Sequence, residues 1–149
     1  MRSHGAHSSS GSGTAVRLIN QPTLVEHKNL RFLIADAPSD SNLPLFIKDW
    51  SFSDGEPPPS DIVDNWLDLI ERRFGRDPSA QPDSALCVHC VAGLGRAPVL
   101  VAIALIEHGM APVDALVYVR ERRRGAINNK QLKYIEGYKR RTKSKCLIM

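Results

Sequence analysis

Cysteine is scarce in this sequence, and long apolar runs are absent. Three cysteines among 149 residues are too few for a disulfide framework, and they exclude a zinc site built from four cysteines. The longest apolar run, within residues 97–109, falls short of the ~18 residues that indicate a membrane-spanning helix. We therefore expect one ordinary domain that keeps its cysteines reduced and uses neither a metal nor a cofactor.

Composition divides the chain into three parts. Residues 1–19 are rich in serine and glycine, so we expect disorder there. The domain is predicted at residues 20–138 and a basic tail at 139–149. The formal net charge of +4 hides this division, because residues 120–149 hold 11 Lys or Arg against 2 acidic residues while the rest of the chain is net −5.

The basic tail carries a lipidation motif. Residues 146–149, Cys-Leu-Ile-Met, form a C-a-a-X box whose methionine favours farnesylation of Cys146. One lipid chain anchors weakly, and the tail's cations supply a second attraction to an anionic membrane surface. We expect the cytoplasmic face of the plasma membrane or of endosomes, and the cytoplasm or nucleus without the lipid. Nucleic acid binding and a merely solvated helix end are the weaker alternatives. The tail's basic residues are Lys139, Arg140, Arg141, Lys143 and Lys145.

Hydrophobic periodicity predicts three strands and three or four helices. Strands are expected at residues 23–27, 30–34 and 86–89. Helices are expected from Ser60, as a cap, to Phe74, over the apolar run 97–109, at 111–124 and at 129–140. This order predicts an α/β fold with a small central sheet flanked by helices.

The ten residues HCVAGLGRAP, 89–98, are the most specific signal. They put Cys90 where a strand ends and Arg96 six positions later, where a helix begins. Gly93 and Gly95 allow backbone conformations closed to other residues, which lets successive N–H groups turn inward as an anion nest. The guanidinium of Arg96 matches two phosphate oxygens, and the positive surroundings favour the nucleophilic thiolate of Cys90. The predicted phosphate-binding residues are Val91, Ala92, Gly93, Leu94, Gly95 and Arg96.

The cysteines allow two other interpretations. Cys90 would be an ordinary buried residue if the glycines and Arg96 had no role. Cys87 and Cys90 form a C-x-x-C, which suggests redox chemistry or zinc, but an extended strand holds the two residues too far apart for a disulfide. Cys87 is therefore predicted to be a core residue.

Several segments together resemble one family. VHCVAGLGRAPVLVA, DWSFSDG, RRGAINNKQLKYIEGY and KNLRFLIADAPSDSNLPLFI are similar to the phosphatases of regenerating liver, the type IVA protein tyrosine phosphatases. The resemblance implies a dual-specificity-like cysteine phosphatase fold that hydrolyses phosphoprotein or other phosphomonoester substrates through a cysteinyl phosphate. Ala97 belongs to the same resemblance. It replaces the usual Ser or Thr hydroxyl and implies slow breakdown of that intermediate.

The resemblance also implies a general acid. Asp54 in DWSFSDG matches the second aspartate of the family's W-P-F-D-D-G loop, which protonates the leaving oxygen. Alone, Asp54 would read as a solvated turn residue beside Gly55. Ser51 replaces the family's proline, so we expect a less rigid loop.

His89 and Gln131 are predicted to have supporting roles. His89 would orient the loop by family resemblance, although a histidine at a strand end is as often only a satisfied hydrogen-bonding group. Lys130 and Gln131 match a glutamine-bearing loop of the family. Asn128 and Gln131 are equally well explained as a helix-capping pair.

One segment of the family pattern is missing. Only 15 residues separate Ile34 from Trp50, where the family has a helix and two strands, so roughly 30 residues, about one β-α-β unit, are absent. The absent segment would contain the family's resolving cysteine. Two rival predictions remain: the family resemblance implies a low-activity binding module for a cyclin-M-type magnesium transport mediator, and the missing segment suggests an unstable shortened product. A homo-oligomer is a further expectation.

Overall fold

The computed structural model describes residues 21–36 and 50–141. In those two stretches no helix combines the length and the apolar character needed to cross a membrane. The predicted disorder of residues 1–19 and the predicted lipidation of Cys146 lie outside the described residues. The elements in chain order are β1 (Thr23–His27), β2 (Leu30–Asp36), α1 (Ser60–Phe74), β3 (Leu86–Cys90), α2 (Arg96–Glu107), α3 (Pro112–Arg122) and α4 (Asn129–Glu136).

The three described strands form one mixed sheet in the order β1-β2-β3. β1 and β2 are an antiparallel hairpin whose turn places Lys28 in the left-handed region, at φ 53°. β2 and β3 run parallel, with Asp36 aligned with Cys90. The predicted α/β fold with a small sheet and flanking helices is confirmed, and its register sets Asp36 beside the predicted nucleophile.

α2 is the central helix of the core. Every residue from Ala97 to Ile106 is buried, as expected of the longest apolar run in the chain. α1 packs against it through one apolar face, and the Trp66 indole donates a hydrogen bond to the Leu100 carbonyl at 2.7 Å. Because α2 is buried all round, its first turn, which carries Arg96, is fixed in the middle of the domain.

Helix ends differ from the predictions where local chemistry intervenes. Ser60 is the first residue of α1 and not its cap, because Pro59 occupies the capping position and no side chain caps the helix. α3 and α4 are shorter than predicted, at Pro112–Arg122 and Asn129–Glu136. α4 stops before Gly137, a residue with poor helix propensity.

The two faces of the sheet are covered unequally. Val25, Phe32 and Val88 are buried on the face that the described helices cover. Side chains pointing the other way are more open: Leu24 is 44% exposed, and Cys87 is exposed as well. The prediction of Cys87 as a core residue is therefore wrong, because alternation along β3 turns its side chain away from the helices.

Candidate active site

β3 and α2 hold the two ends of a short loop, residues 91–95, which we call the nucleophile loop. Cys90 is the last residue of β3 and Arg96 the first of α2, as predicted. Cys90 is half-buried, and the Arg96 side chain is 22% exposed. Pro98 lies in the first turn of α2, where its missing N–H costs no helical hydrogen bond. The sequence thus brings a thiol and a guanidinium to the same edge of the sheet.

Gly93 is required by both backbone and space. Its φ of 63° lies in the left-handed region, and a Cβ there would lie 2.5 Å from Arg123 Nη2 and 2.8 Å from the Ala35 carbonyl oxygen. Gly95 differs from the prediction, since its φ of −122° is not left-handed. A small residue is needed there for space, because an added Cβ would lie 3.2 Å from Gln131 Nε2.

Asp54 reaches the nucleophile loop from a second loop, residues 50–56, which we call the acid loop. Asp54 Oδ1 lies 3.6 Å from Arg96 Nε, and Arg96 Nη1 donates a hydrogen bond to the Phe52 carbonyl at 3.2 Å. The Asp54 side chain is 81% exposed in a turn before Gly55, whose φ is 76°. Asp54 is therefore an exposed turn residue and also the ion-pair partner of Arg96.

The start of α4 fastens the acid loop. Asn128 and Gln131 form a reciprocal capping box, so the helix-capping interpretation is confirmed. The same two side chains also reach outward: Asn128 Nδ2 donates to the Gly55 carbonyl at 3.0 Å, and Gln131 Nε2 to the Glu56 carbonyl at 3.3 Å. Lys130 forms an ion pair with Glu56. Gln131, fully buried beside Gly95, thus links both loops.

His89 and Ala97 flank the loop without polar contacts to it. Among the described residues, the buried Nδ1 of His89 has no hydrogen-bond partner, so its orienting role stays a prediction. Ala97 is buried and supplies no hydroxyl. Within residues 21–36 and 50–141, no group of three or more His, Cys, Asp or Glu side chains could hold a metal ion.

Arg123 is the residue that sequence reasoning missed. It is 4% exposed, donates hydrogen bonds to two carbonyls of the nucleophile loop and forms an ion pair with Asp36 at 3.1 Å. Its sequence context, inside the run RERRR, is typical of a solvated helix end. The available signal was Asp36: a carboxylate that continues a buried apolar strand requires a cationic partner.

Comparisons with known proteins identify the family. No family model matches the chain. The probable protein tyrosine phosphatase type IVA A of Dictyostelium discoideum is 42% identical over 169 residues, covering 93% of this chain and 99% of its own. This chain belongs to the type IVA protein tyrosine phosphatases. Human protein tyrosine phosphatase type IVA 3 is 42% identical over 81% of this chain and 87% of its own length.

A solved structure agrees with the assignment. A putative protein tyrosine phosphatase from Leishmania major shares the fold with a TM-score of 0.66 and 37% identity, over 81% of this chain and all of its own. The predicted family and fold are confirmed.

The alignment lengths also measure what this chain lacks. Since 93% of 149 residues is about 139, about 30 of the 169 positions aligned with the Dictyostelium protein have no residue here. That number matches the predicted deletion of roughly 30 residues.

Proposed function

We propose that this type IVA phosphatase hydrolyses phosphomonoesters, phosphotyrosine among them, through a cysteinyl phosphate. The Cys90 thiolate attacks phosphorus, the S–P bond forms and the bond to the ester oxygen breaks. Arg96 binds two of the phosphoryl oxygens throughout. Asp54 gives its proton to the departing oxygen, and water then breaks the S–P bond to release phosphate.

The meeting of Asp54 and Arg96 is the observation that carries this proposal. The two residues come from separate loops, and their side chains approach to 3.6 Å at the end of β3. Arg96 Nε faces Asp54 at 3.6 Å, too far for a hydrogen bond, and among the described residues it has no hydrogen-bond partner, so a phosphate oxygen would compete with the carboxylate for this donor. An acid, an anion-binding cation and a thiol at one site favour phosphoryl transfer over the other cysteine chemistries considered.

The second chemical step is expected to be the slow one. Ala97 follows Arg96 in the first turn of α2 and is buried, so no hydroxyl at this position assists departure of the sulfur. The cysteinyl phosphate therefore accumulates. A rapid burst of phenol release followed by slow steady turnover is the expected kinetic result.

The direct test compares two cysteines of the same strand. With p-nitrophenyl phosphate as substrate, Cys90→Ser is expected to abolish hydrolysis, because a serine hydroxyl without an adjacent base is a weak nucleophile. Cys87→Ser is the matched control: it removes a thiol three residues away that is exposed on the other face. Equal activities of wild type and Cys90→Ser contradict the proposal.

Membrane attachment through Cys146 is part of the proposed function. The described part of the tail supports it, since Lys139 and Arg140 are exposed, whereas Arg141 is ion-paired with Asp64 at 2.9 Å. A farnesyl chain on Cys146 together with these cations would hold the protein at an anionic membrane surface. Mass spectrometry of the C-terminal peptide from cells detects the lipid, and Cys146→Ser moves the protein to the supernatant of a membrane preparation. Retention of Cys146→Ser on membranes would assign attachment to the basic residues alone.

Protein binding through the nucleophile loop is the second candidate. Val91, directly after the predicted nucleophile, is 71% exposed, the highest exposure among the large hydrophobic side chains of the described residues. A protein partner, such as the predicted cyclin-M-type transport mediator, would cover it. Val91→Asp should then abolish capture of such a partner, while Cys90→Ser preserves it. Unchanged capture by Val91→Asp speaks against this surface.

A further inference from the structure

We infer that Arg123 is a positioning residue that orients the peptide groups of the nucleophile loop toward the phosphate. This inference rests on the proposed function and names a residue outside the signature that the function uses. The residue lies just after α3, 27 positions beyond Arg96 in sequence.

The contacts of Arg123 converge on the back of the loop. Its Nε donates to the Gly93 carbonyl at 2.6 Å, and its Nη2 donates to the Ala92 carbonyl at 3.1 Å. The third nitrogen, Nη1, donates to the Gln21 carbonyl at 2.9 Å and to Thr23 Oγ1 at 3.0 Å. One guanidinium therefore ties the nucleophile loop to the start of β1.

These bonds determine which way the loop N–H groups face. In a trans peptide the C=O and the following N–H point in opposite directions. Carbonyls of residues 92 and 93 held by Arg123 thus turn the N–H groups of Gly93 and Leu94 to the other side. The Ile127 N–H does the same for Gly95 by donating to the Leu94 carbonyl at 2.7 Å.

The three outward N–H groups form an anion site. Among the described residues, none of the hydrogen bonds outside helices and strands uses the N–H of Gly93, Leu94 or Gly95. Successive free N–H groups before a helix whose first residue is Arg96 form a nest for a phosphate group. The predicted anion nest therefore has a physical support, and that support is the pair of donors behind the loop.

Asp36 keeps the guanidinium in place. It is mostly buried, aligns with Cys90 on the neighbouring strand and forms its ion pair with Nη2, the nitrogen that also holds Ala92. A buried arginine without this carboxylate would carry an uncompensated charge. Lysine cannot replace it fully, because a single ammonium lacks the planar fork that reaches both carbonyls and the carboxylate.

Anion binding tests the inference without requiring turnover. Tungstate, a phosphate mimic, should protect Cys90 from alkylation by iodoacetamide, read at the Cys90 peptide by mass spectrometry. The double variant Asp36→Asn/Arg123→Met removes the donors and leaves no isolated buried charge. We expect about a 100-fold rise in the tungstate concentration for half protection, since transition-state N–H donors are worth about this much. Arg123→Lys should give a smaller rise of about tenfold.

Arg122 provides the matched control. It is an exposed arginine next in sequence, whose contacts are with Tyr118 on its own helix. Arg122→Met removes the same charge and should leave tungstate protection and kcat/KM unchanged. In the Arg123 variants kcat/KM for p-nitrophenyl phosphate should fall with the tungstate affinity, while the thermal unfolding transition stays cooperative.

Each outcome decides between positioning and general structural support. Folded Arg123 variants that bind tungstate as the wild type does overturn the inference. If the double variant does not fold, Arg123→Lys decides in the same way, because it keeps a cation beside Asp36. A wild type without Cys90-dependent hydrolysis would contradict the proposed function instead, and the tungstate comparison would still test Arg123.

Discussion

The two loops of the site are held to different degrees by buried contacts. Behind the nucleophile loop lie buried donors, Arg123 and the backbone of Ile127. The acid loop also receives part-buried donors, from Gln131 to Glu56 and from Arg96 to Phe52, but its other contacts are exposed: Asn128 on Gly55 and the pair of Lys130 and Glu56. Buried hydrogen bonds to charged groups are worth more than exposed ones, which compete with water. The proposed phosphate site is therefore the more rigid half of the site, and the loop of the proposed acid is the more adjustable half.

The largest expected effect comes from filling Gly93. Gly93→Ala should lower kcat/KM by at least about 100-fold, because the new Cβ displaces Arg123 and disturbs the loop N–H groups. Gly75→Ala is the matched control: φ there is 70° and no atom lies within 4 Å of the added Cβ. It should cost stability on the order of 1–3 kcal/mol from backbone strain alone, because φ 70° with ψ −169° is a conformation that glycine almost alone adopts, and it should leave activity intact. Equal activities of the two variants would refute the rigid half of the comparison.

Removing the acid should matter in proportion to the leaving group. Asp54→Ala should lower the rate of phosphoenzyme formation about 100-fold with phenyl phosphate, whose leaving oxygen requires a proton. With a good leaving group such as difluoromethylumbelliferone, the loss should be small. Asp77→Ala, at another exposed turn, serves as a control. A loss independent of the leaving group would assign the acid to another residue.

Asn128 allows the acid loop to be loosened separately from the helix that holds it. Serine is an equally good cap but too short to reach the Gly55 carbonyl. Asn128→Ser should therefore keep the melting temperature and lower the phenyl phosphate rate about fivefold, the equivalent of one hydrogen bond of about 1 kcal/mol. Asn128→Ala should show the same kinetic loss and also lose about 1 kcal/mol of stability. Wild-type kinetics in both variants would mean that the bond does not position Asp54.

Lowering the pH is expected to have the smallest effect on either loop, because the two histidines concerned lie near the opposite end of the sheet. Burial, followed by the nearby charge of Lys28, lowers the pKa of His27; burial also dominates the lowered pKa of His108. The unfolded chain thus binds these protons more readily than the folded one. The stability that these two neutral histidines contribute is fully present above about pH 6.5 and is lost as the pH drops through their folded-state pKa values. Melting temperatures between pH 7.5 and 5 should fall less in His27→Asn/His108→Asn, and an unchanged slope would contradict this.

Local patterns were sufficient for most elements of the fold. The spacing of apolar residues predicted every described strand and helix to within a few residues, and the ten residues around Cys90 placed the loop between β3 and α2. Asp54 could be found only through the family motif, because an exposed turn aspartate has no distinguishing local pattern. The prediction failed for Cys87 because what covers a strand face depends on distant segments. Arg123 was missed for the same reason: its partner, Asp36, lies 87 positions earlier.

The buried pair of Asp36 and Arg123 has a thermodynamic consequence. The anion site depends on residues near positions 36, 93 and 123, so an unfolded chain does not contain it. A ligand that binds only the native state stabilises that state by mass action. The stabilisation is about 1.4 kcal/mol when the ligand concentration is ten times the dissociation constant. In a domain that lacks about 30 positions of its relatives, inorganic phosphate would act as a folding ligand as well as a reaction product.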